Sequence, residues 1–190
     1  MTPYRHPAAR HVPRTPRRDA VRPLARVDPE RLAAIIVWLE SLPFDRWPQQ
    51  HRLADGQIRP AMVNDPEWYG FGARTFALVN ELLEAMRNAA SGELLEALPG
   101  TGPVVDSNRM LSCVMPGHSI PEHADEQEPA WLTRVHVPLT TNDRAVFVAA
   151  GLEHHLEVGW AYLVDTRVPH AIRNDGPTPR VHFMFDVRRV

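Results

Sequence analysis

From Gly102 onward, short runs rich in Val, Leu, Phe and Tyr recur between turn residues, and the runs from Arg134 and from Arg180 alternate polar with apolar positions. The runs are Arg109–Met115, Ile120–His123, Arg134–Leu139, Ala145–Ala149, His154–Val158, Trp160–Asp165, His170–Asn174 and Arg180–Val187. Alternation with period two marks strands that bury one face. Eight short strands at this spacing indicate a sandwich or barrel rather than a parallel sheet. Thr141-Asn142-Asp143, Gly159 and Asn174-Asp175-Gly176-Pro177 supply turn chemistry between runs.

Upstream of Gly102 the period is helical. Asp28-Pro29-Glu30 opens a helix, with Asp28 as N-cap and Pro29 at the first helical position. Leu32, Ile35, Ile36 and Leu39 form its apolar face, and Pro43 lies beyond its end. A second helix is expected from about Ala73 to Ala90, with Phe76, Val79, Leu83 and Met86 facing a core. Ser91-Gly92 stops it, and Glu93–Leu98 suits a further helical turn. Residues 44–72 read as loops with one short strand, and their aromatics Trp47, Trp68, Tyr69 and Phe71 either pack on the scaffold or cover a substrate. Helices followed by strands predict a mainly β fold with flanking α: two N-terminal helices beside an eight-stranded double-sheet jelly roll. Residues 28–190 then form one domain, with helical support over 28–100 and the β core over 103–190.

Composition refines this at the N-terminus. Residues 1–27 carry seven arginines, five prolines and a single acid, Asp19, too little apolar material for a core of their own. They are expected to be an extended arm or disordered tail, or an arm packed along the domain or a partner subunit, and removing residues 1–25 is expected to leave stability nearly intact. All 21 basic residues are arginine, and the formal net charge of −2 offers no general attraction to nucleic acid or membrane. One cysteine, Cys113, excludes an internal disulfide and suits a reducing compartment. The longest apolar run, Leu32–Leu39, is too short to span a bilayer. A cytoplasmic location is expected.

The candidate chemistry centres on Pro116–Leu139. His123 and Asp125 are two residues apart, so on an extended strand they share a face. His170 opens a later strand. Two histidines and a carboxylate are the facial set that holds non-haem Fe(II) with coordination positions open. Arg180, ten residues after His170, begins the last strand, and an arginine fork there would match a carboxylate. Arg134 and His136 alternate with Val135, Val137 and Leu139, as Arg180, His182 and Met184 do with Val181, Phe183 and Phe185. Two strands with Arg-x-His on one face point to a polar interior. His118, His154 and His155 have no such partners and are assigned to the surface or to supporting contacts. A metal-dependent cupin enzyme and a metal-free jelly-roll binding domain are the alternatives.

The ordered pattern PG-x2-I-x2-H-x-D, R-x-H-x-P-L and D-T-x3-H-x3-N-x-G-x3-R-x-H-x3-D, over about Arg109–Arg188, resembles the aspartyl/asparaginyl β-hydroxylase family. The resemblance implies a double-stranded β-helix dioxygenase that uses Fe(II), O2 and 2-oxoglutarate and releases succinate and CO2. By position it implies His123, Asp125 and His170 as iron ligands and Arg180 as partner of the distal 2-oxoglutarate carboxylate. Ser112, Arg134 and His136 match further co-substrate contacts. The aspartyl hydroxylase proper lacks the middle carboxylate, so Asp125 brings this chain nearer the bacterial amino-acid hydroxylases of that family, such as the proline hydroxylases. The expected substrate is an amino acid, an amino-acid derivative or a residue in a peptide. Trp131, Trp160 and Arg144 are candidate pocket residues.

Overall fold

The computed structural model describes residues 20–42, 51–52, 58–59, 61–62, 69–88, 102–125 and 133–189. In chain order these residues form β1 (Val21–Arg26), α1 (Pro29–Glu40), β2 (His51–Arg52), β3 (Ile58–Arg59), β4 (Ala61–Met62), α2 (Tyr69–Asn88) and β5 (Val104–Val114). They continue with β6 (His118–His123), β7 (Thr133–Thr140), β8 (Ala145–Ala149), β9 (Leu152–His154), β10 (Trp160–Val164), β11 (His170–Asn174) and β12 (Arg180–Arg189). A six-stranded sheet runs β1-β10-β7-β12-β5-β4 and a four-stranded sheet β6-β11-β8-β9, with β2 and β3 paired apart. The fold is mainly β, a jelly roll of two antiparallel sheets with two helices on the larger one.

Two apolar layers follow from the alternation. On β12, Val181, Phe183, Phe185 and Val187 join Val135, Val137 and Leu139 of β7 in the layer beneath the helices. α1 contributes Leu32, Ile35 and Leu39, and α2 contributes Leu78, Val79, Leu82, Leu83 and Met86. Each such side chain, fully removed from water, contributes about 1.5–3 kcal/mol. α1 starts where expected because the Asp28 carboxylate accepts from the Arg31 amide at 2.8 Å and Pro29 occupies the first turn. The opposite faces of the strands look between the sheets. There Val114, Phe147, Ala149, Tyr162, Val164, Val168 and Ile172 form a second layer. Arg180, His182, Met184 and Asp186 share that inter-sheet space with Arg134 and His136, so the polar faces are interior. Asn174 of β11 stitches the sheets together, its amide donating to Val114 O of β5 at 2.8 Å.

Several expectations are corrected. α2 begins at Tyr69, four residues before the expected start, and runs through Gly70 and Gly72. Phe71 is fully buried against Trp38 and Phe183, with centroids 5.1 and 5.5 Å away, so it packs and does not cover a ligand. With Phe71 as the first buried position the stripe continues through Thr75, Leu78, Leu82 and Met86. Phe76 lies off that stripe, 57 % exposed, over the Arg109 guanidinium. The run His154–Val158 is not a strand. β8 turns back at once through Ala150 and Gly151, both at positive φ (49° and 79°), and pairs Ala149 with Leu152. Two-residue hairpin loops with both φ positive match the strand twist. Among the described residues of 44–72 three two-residue strands stand where one was expected. Glu93–Leu98, Trp47, Trp68 and Trp131 lie outside the described residues, as does most of the arm.

The end of that arm, however, is part of the sheet. β1 pairs antiparallel with β10 from Val21↔Val164 to Arg26↔Trp160, and Asp165 N–H donates to Ala20 O at 2.9 Å. Pro23 fits because β1 is an edge strand and the register shifts beside it. Ala20 and Val21 are buried in the inter-sheet layer and Val27 beneath α1. The near-neutral effect expected for removal of residues 1–25 is therefore revised. Deleting residues 1–26 should cost about 3–5 kcal/mol from lost burial and lower the melting temperature by roughly 10 °C. Deleting residues 1–19 should shift it by a few degrees at most. Thermal melts of the two truncations check this, and equal effects would show that β1 is dispensable.

Candidate functional site

Between the sheets lies a cavity of about 440 Å3. Its walls come from β5, β7 and β12 of the large sheet and β6, β8 and β11 of the small one. His123, Asp125 and His170 line it, with Arg134, His136 and Ser112. Ile120, Phe147, Ile172, Met110 and Met184 supply apolar walls.

The register of the small sheet creates the first cluster. His170 is the direct cross-strand partner of His123, and the rings stand 4.2 Å apart. A bulge follows, because Ile172 pairs with Ile120 and leaves Pro121 and Glu122 opposite Ala171 alone. Bulges bend a strand and re-aim its side chains. His123 Nδ1 lies 2.8 Å from Pro121 O, and His170 Nδ1 lies 3.0 Å from Val168 O. A carbonyl only accepts, so both Nδ1 atoms carry the proton and both Nε2 lone pairs are free for a metal. Asp125 is fixed by its amide donating to Thr166 O at 2.9 Å, and its Oδ1 stands 3.8 Å from His123 Nε2. One donor atom from each of the three residues can be chosen so that all lie within 4.8 Å of one another. Burial, with His123 second, lowers the pKa of His170, which favours the neutral, ligating imidazole.

Asp125 is also paired. Arg134 Nη1 donates to its Oδ2 at 2.8 Å. The same guanidinium donates through Nε to Asp186 Oδ1 at 2.7 Å and through Nη2 to Asp186 Oδ2 at 3.2 Å. Hydrogen bonds and charge from both acids raise Arg134 against the opposing effect of burial, its largest single influence.

Deeper between the sheets is a second cluster of different character. Arg180 is 2 % exposed, and among the described residues no carboxylate lies within ion-pair distance of it. Its Nη2 donates to His182 Nδ1 at 3.0 Å, while Nη1 has no partner. His182 Nε2 and both ring nitrogens of His136 are also buried without partners, and the two rings meet edge-to-face at 5.7 Å. Burial pushes Arg180 down to about 9, which still leaves the guanidinium charged at neutral pH. Burial and then the Arg180 charge hold His136 and His182 well below the ordinary imidazole range, so both are neutral. Ser112 is the direct cross-strand partner of His182. A buried cation among unpaired donors is costly unless an anion completes it. The orphaned Nη1 of Arg180 and Nε2 of His182 are what a carboxylate would satisfy.

The proposed site residues therefore fall into two groups. His123, Asp125, His170 and Arg134 are at one end. Arg180, His182, His136 and Ser112 form the other, and of these His136 and Ser112 line the cavity. Asp186 and Asn108 belong to the first group and had no role in the sequence reading. Asp186 stood in the motif, but nothing local showed that it faces Arg134. Of the remaining candidates, Arg144 and Trp160 do not line the cavity.

Comparison with known proteins adds an independent line. A family model described as aspartyl/asparaginyl beta-hydroxylase matches residues 71–190, well over half of the chain. No curated protein matches in sequence. Among solved structures, the fold is similar to an oxidoreductase of the 2OG-Fe(II) oxygenase family from Burkholderia pseudomallei (TM-score 0.60, 14 % identity, covering 86 % of this chain and 81 % of that one). It is similar to a prolyl hydroxylase from Trichoplax adhaerens, in complex with a hypoxia inducible factor peptide fragment (TM-score 0.57, 12 % identity, 90 % and 84 %). It is also similar to a prolyl-4-hydroxylase from Pseudomonas putida (TM-score 0.54, 17 % identity, 91 % and 94 %).

Proposed function

The chain belongs to the aspartyl/asparaginyl β-hydroxylase family, and from that premise we propose that it is an Fe(II)- and 2-oxoglutarate-dependent dioxygenase that hydroxylates an unactivated C–H bond of an amino acid, an amino-acid derivative or a peptidyl residue. The observation that carries this reading is the pairing of two complementary clusters in one inter-sheet space. His123, Asp125 and His170 offer metal donors, and Arg180 is buried with no carboxylate among the described residues within ion-pair distance.

In this reading His123 Nε2, His170 Nε2 and Asp125 would hold the iron, a donor set that leaves coordination positions free for co-substrate and O2. When bound, the iron supplies activation of O2, coupled to decarboxylation of 2-oxoglutarate to succinate and CO2, with one oxygen atom inserted into the substrate C–H bond. Arg180 and His182 receive the distal carboxylate of 2-oxoglutarate by charge-assisted hydrogen bonds, supported by Ser112 across the strand pair. His136 and Arg134 line the cavity and supply further polar contacts to the co-substrate. Phe147, Ile120, Ile172, Met110 and Met184 keep water from the reacting centre, which strengthens each polar contact inside.

The similar solved structures that act on prolyl residues support an amino-acid-like or peptide substrate. Among the described residues no helix is long and apolar enough to cross a membrane. The lone buried Cys113 and the small net charge support a cytoplasmic enzyme whose partners are small molecules or peptides rather than nucleic acid.

Anaerobic loading with Fe(II), followed by 2-oxoglutarate, air and a panel of amino acids and short peptides, tests the reading. One equivalent of iron and succinate formation stimulated by one member of the panel are expected. Iron without succinate would favour a metalloenzyme that does not use 2-oxoglutarate. Failure to bind iron would favour a binding domain.

A further inference from the structure

We infer that Asp186 is a positioning residue of the metal centre: with Asn108 it holds Arg134, and Arg134 turns one oxygen of Asp125 toward the two imidazoles. The inference rests on the metal-site reading above and assigns a role to residues 61 and 78 positions apart from the ligand and from each other's partners in sequence, Asp186 from Asp125 and Asn108 from Asp186.

β7 and β12 pair in a register that sets Asp186 directly opposite Arg134. Asp186 is 4 % exposed, and a buried carboxylate is tolerated only when its lone pairs are met. Three donors meet them: Arg134 Nε at 2.7 Å, Arg134 Nη2 at 3.2 Å and Asn108 Nδ2 at 3.1 Å. A fork held on two of its nitrogens has a fixed plane. The third nitrogen, Nη1, therefore points in one direction, and Asp125 Oδ2 lies there at 2.8 Å. With Oδ2 held, Oδ1 is the oxygen left near His123 Nε2. Without that hold the carboxylate rotates freely, and a metal would have to order it on binding.

Asn108 shows that the chain is shaped for this contact. It has φ of 47°, uncommon for a residue with a side chain, in a bulge where Asn108 and Arg109 together oppose Phe185. The bulge brings the Asn108 amide to Asp186 at the cavity mouth. Such local strain persists where surrounding contacts fix it.

The test measures Mn(II) binding by anaerobic calorimetry, which reads the donor set without turnover. Asp186→Asn is expected to weaken Mn(II) about 10- to 100-fold, the usual cost of losing a group that orients a metal ligand. Because Asp186 acts through Arg134, adding Asp186→Asn to Arg134→Met should change the dissociation constant by less than about twofold. A purely structural Asp186 would instead leave binding unmoved or give the same loss in both backgrounds. Asn108→Gly suits the positive φ and deletes the amide, so it keeps the test alive if Asp186→Asn does not fold. It should weaken Mn(II) a few-fold without lowering the melting temperature. Wild-type affinity in Asp186→Asn, or in Asn108→Gly if only that variant folds, overturns the inference. Wild-type protein that binds no Mn(II) overturns the metal-site reading itself, and this inference with it.

Discussion

Replacing His170 with alanine is expected to weaken Fe(II) binding by more than about 100-fold, since losing a ligand exceeds the 10- to 100-fold typical of losing its support. That factor corresponds to at least about 2.7 kcal/mol. The reason is positional. Of the three proposed ligands His170 alone is buried, its Nδ1–H is held by Val168 O, and His123 is the one other imidazole in the cluster among the described residues. The fold should survive. His170 contributes ring contacts to Phe147 and His123 rather than membership of either apolar layer. A loss of about 1 kcal/mol would lower the melting temperature by about 2–4 °C. His123→Ala is the matching control, because His123 is largely exposed and its loss should cost almost no stability while weakening iron similarly. Iron titrations and thermal melts of the metal-free variants measure both quantities. Wild-type iron affinity in a folded His170→Ala protein would remove His170 from the site.

How much of this was legible in the sequence depended on whether the deciding interaction was local. The strand runs announced themselves by their Val, Leu, Phe and Tyr content between turn residues, and alternation on two of them showed that Arg134 shares a face with His136 and Arg180 with His182. The outcome that those faces are interior follows because Val181, Phe183 and Phe185 are needed by the helices. Features set by long-range pairing were hidden. β1 contains Pro23 and is rich in arginine, so it becomes a strand only because β10 offers an edge. The hairpin at Ala150-Gly151 uses alanine at positive φ where a glycine or asparagine would have signalled it. Gly70 and Gly72 masked the start of α2, whose true anchor is Phe71.

The site divides in the same way. His-x-Asp was visible because two residues on one strand define a face. The pairing of His123 with His170 needed the register of β6 on β11. The partnership of Arg134 with Asp186 needed the register of β7 on β12. Residue resemblance assigned Arg134 to the co-substrate, while the geometry adds that its charge is already shared between two carboxylates. Arg180 has no such sharing. That contrast makes Arg180, rather than Arg134, the cation that an incoming anion meets uncompensated.

Arg180→Met is accordingly expected to separate co-substrate binding from everything else the site does. The guanidinium is buried and charged, and among the described residues Nη1 is unpaired and His182 is its one hydrogen-bonded neighbour. If it receives the distal carboxylate of 2-oxoglutarate, methionine removes a charge-assisted contact and leaves that carboxylate in a dry site. Truncating one partner of a buried charge pair costs roughly 2–5 kcal/mol. The 2-oxoglutarate dissociation constant should then rise on the order of 30- to several-thousand-fold. Iron binding should be unchanged, because Arg180 is not one of the proposed ligands. The melting temperature of the free protein should hold or rise, since an uncompensated buried charge gives way to an apolar chain of similar reach. A short 2-oxo acid without the distal carboxylate should bind wild type and variant nearly alike, because it makes no use of the cation. Calorimetry with both acids on the iron- or manganese-loaded proteins reads this crossing directly. Wild-type affinity for 2-oxoglutarate in Arg180→Met would make Arg180 structural and leave a metal site that works without this co-substrate.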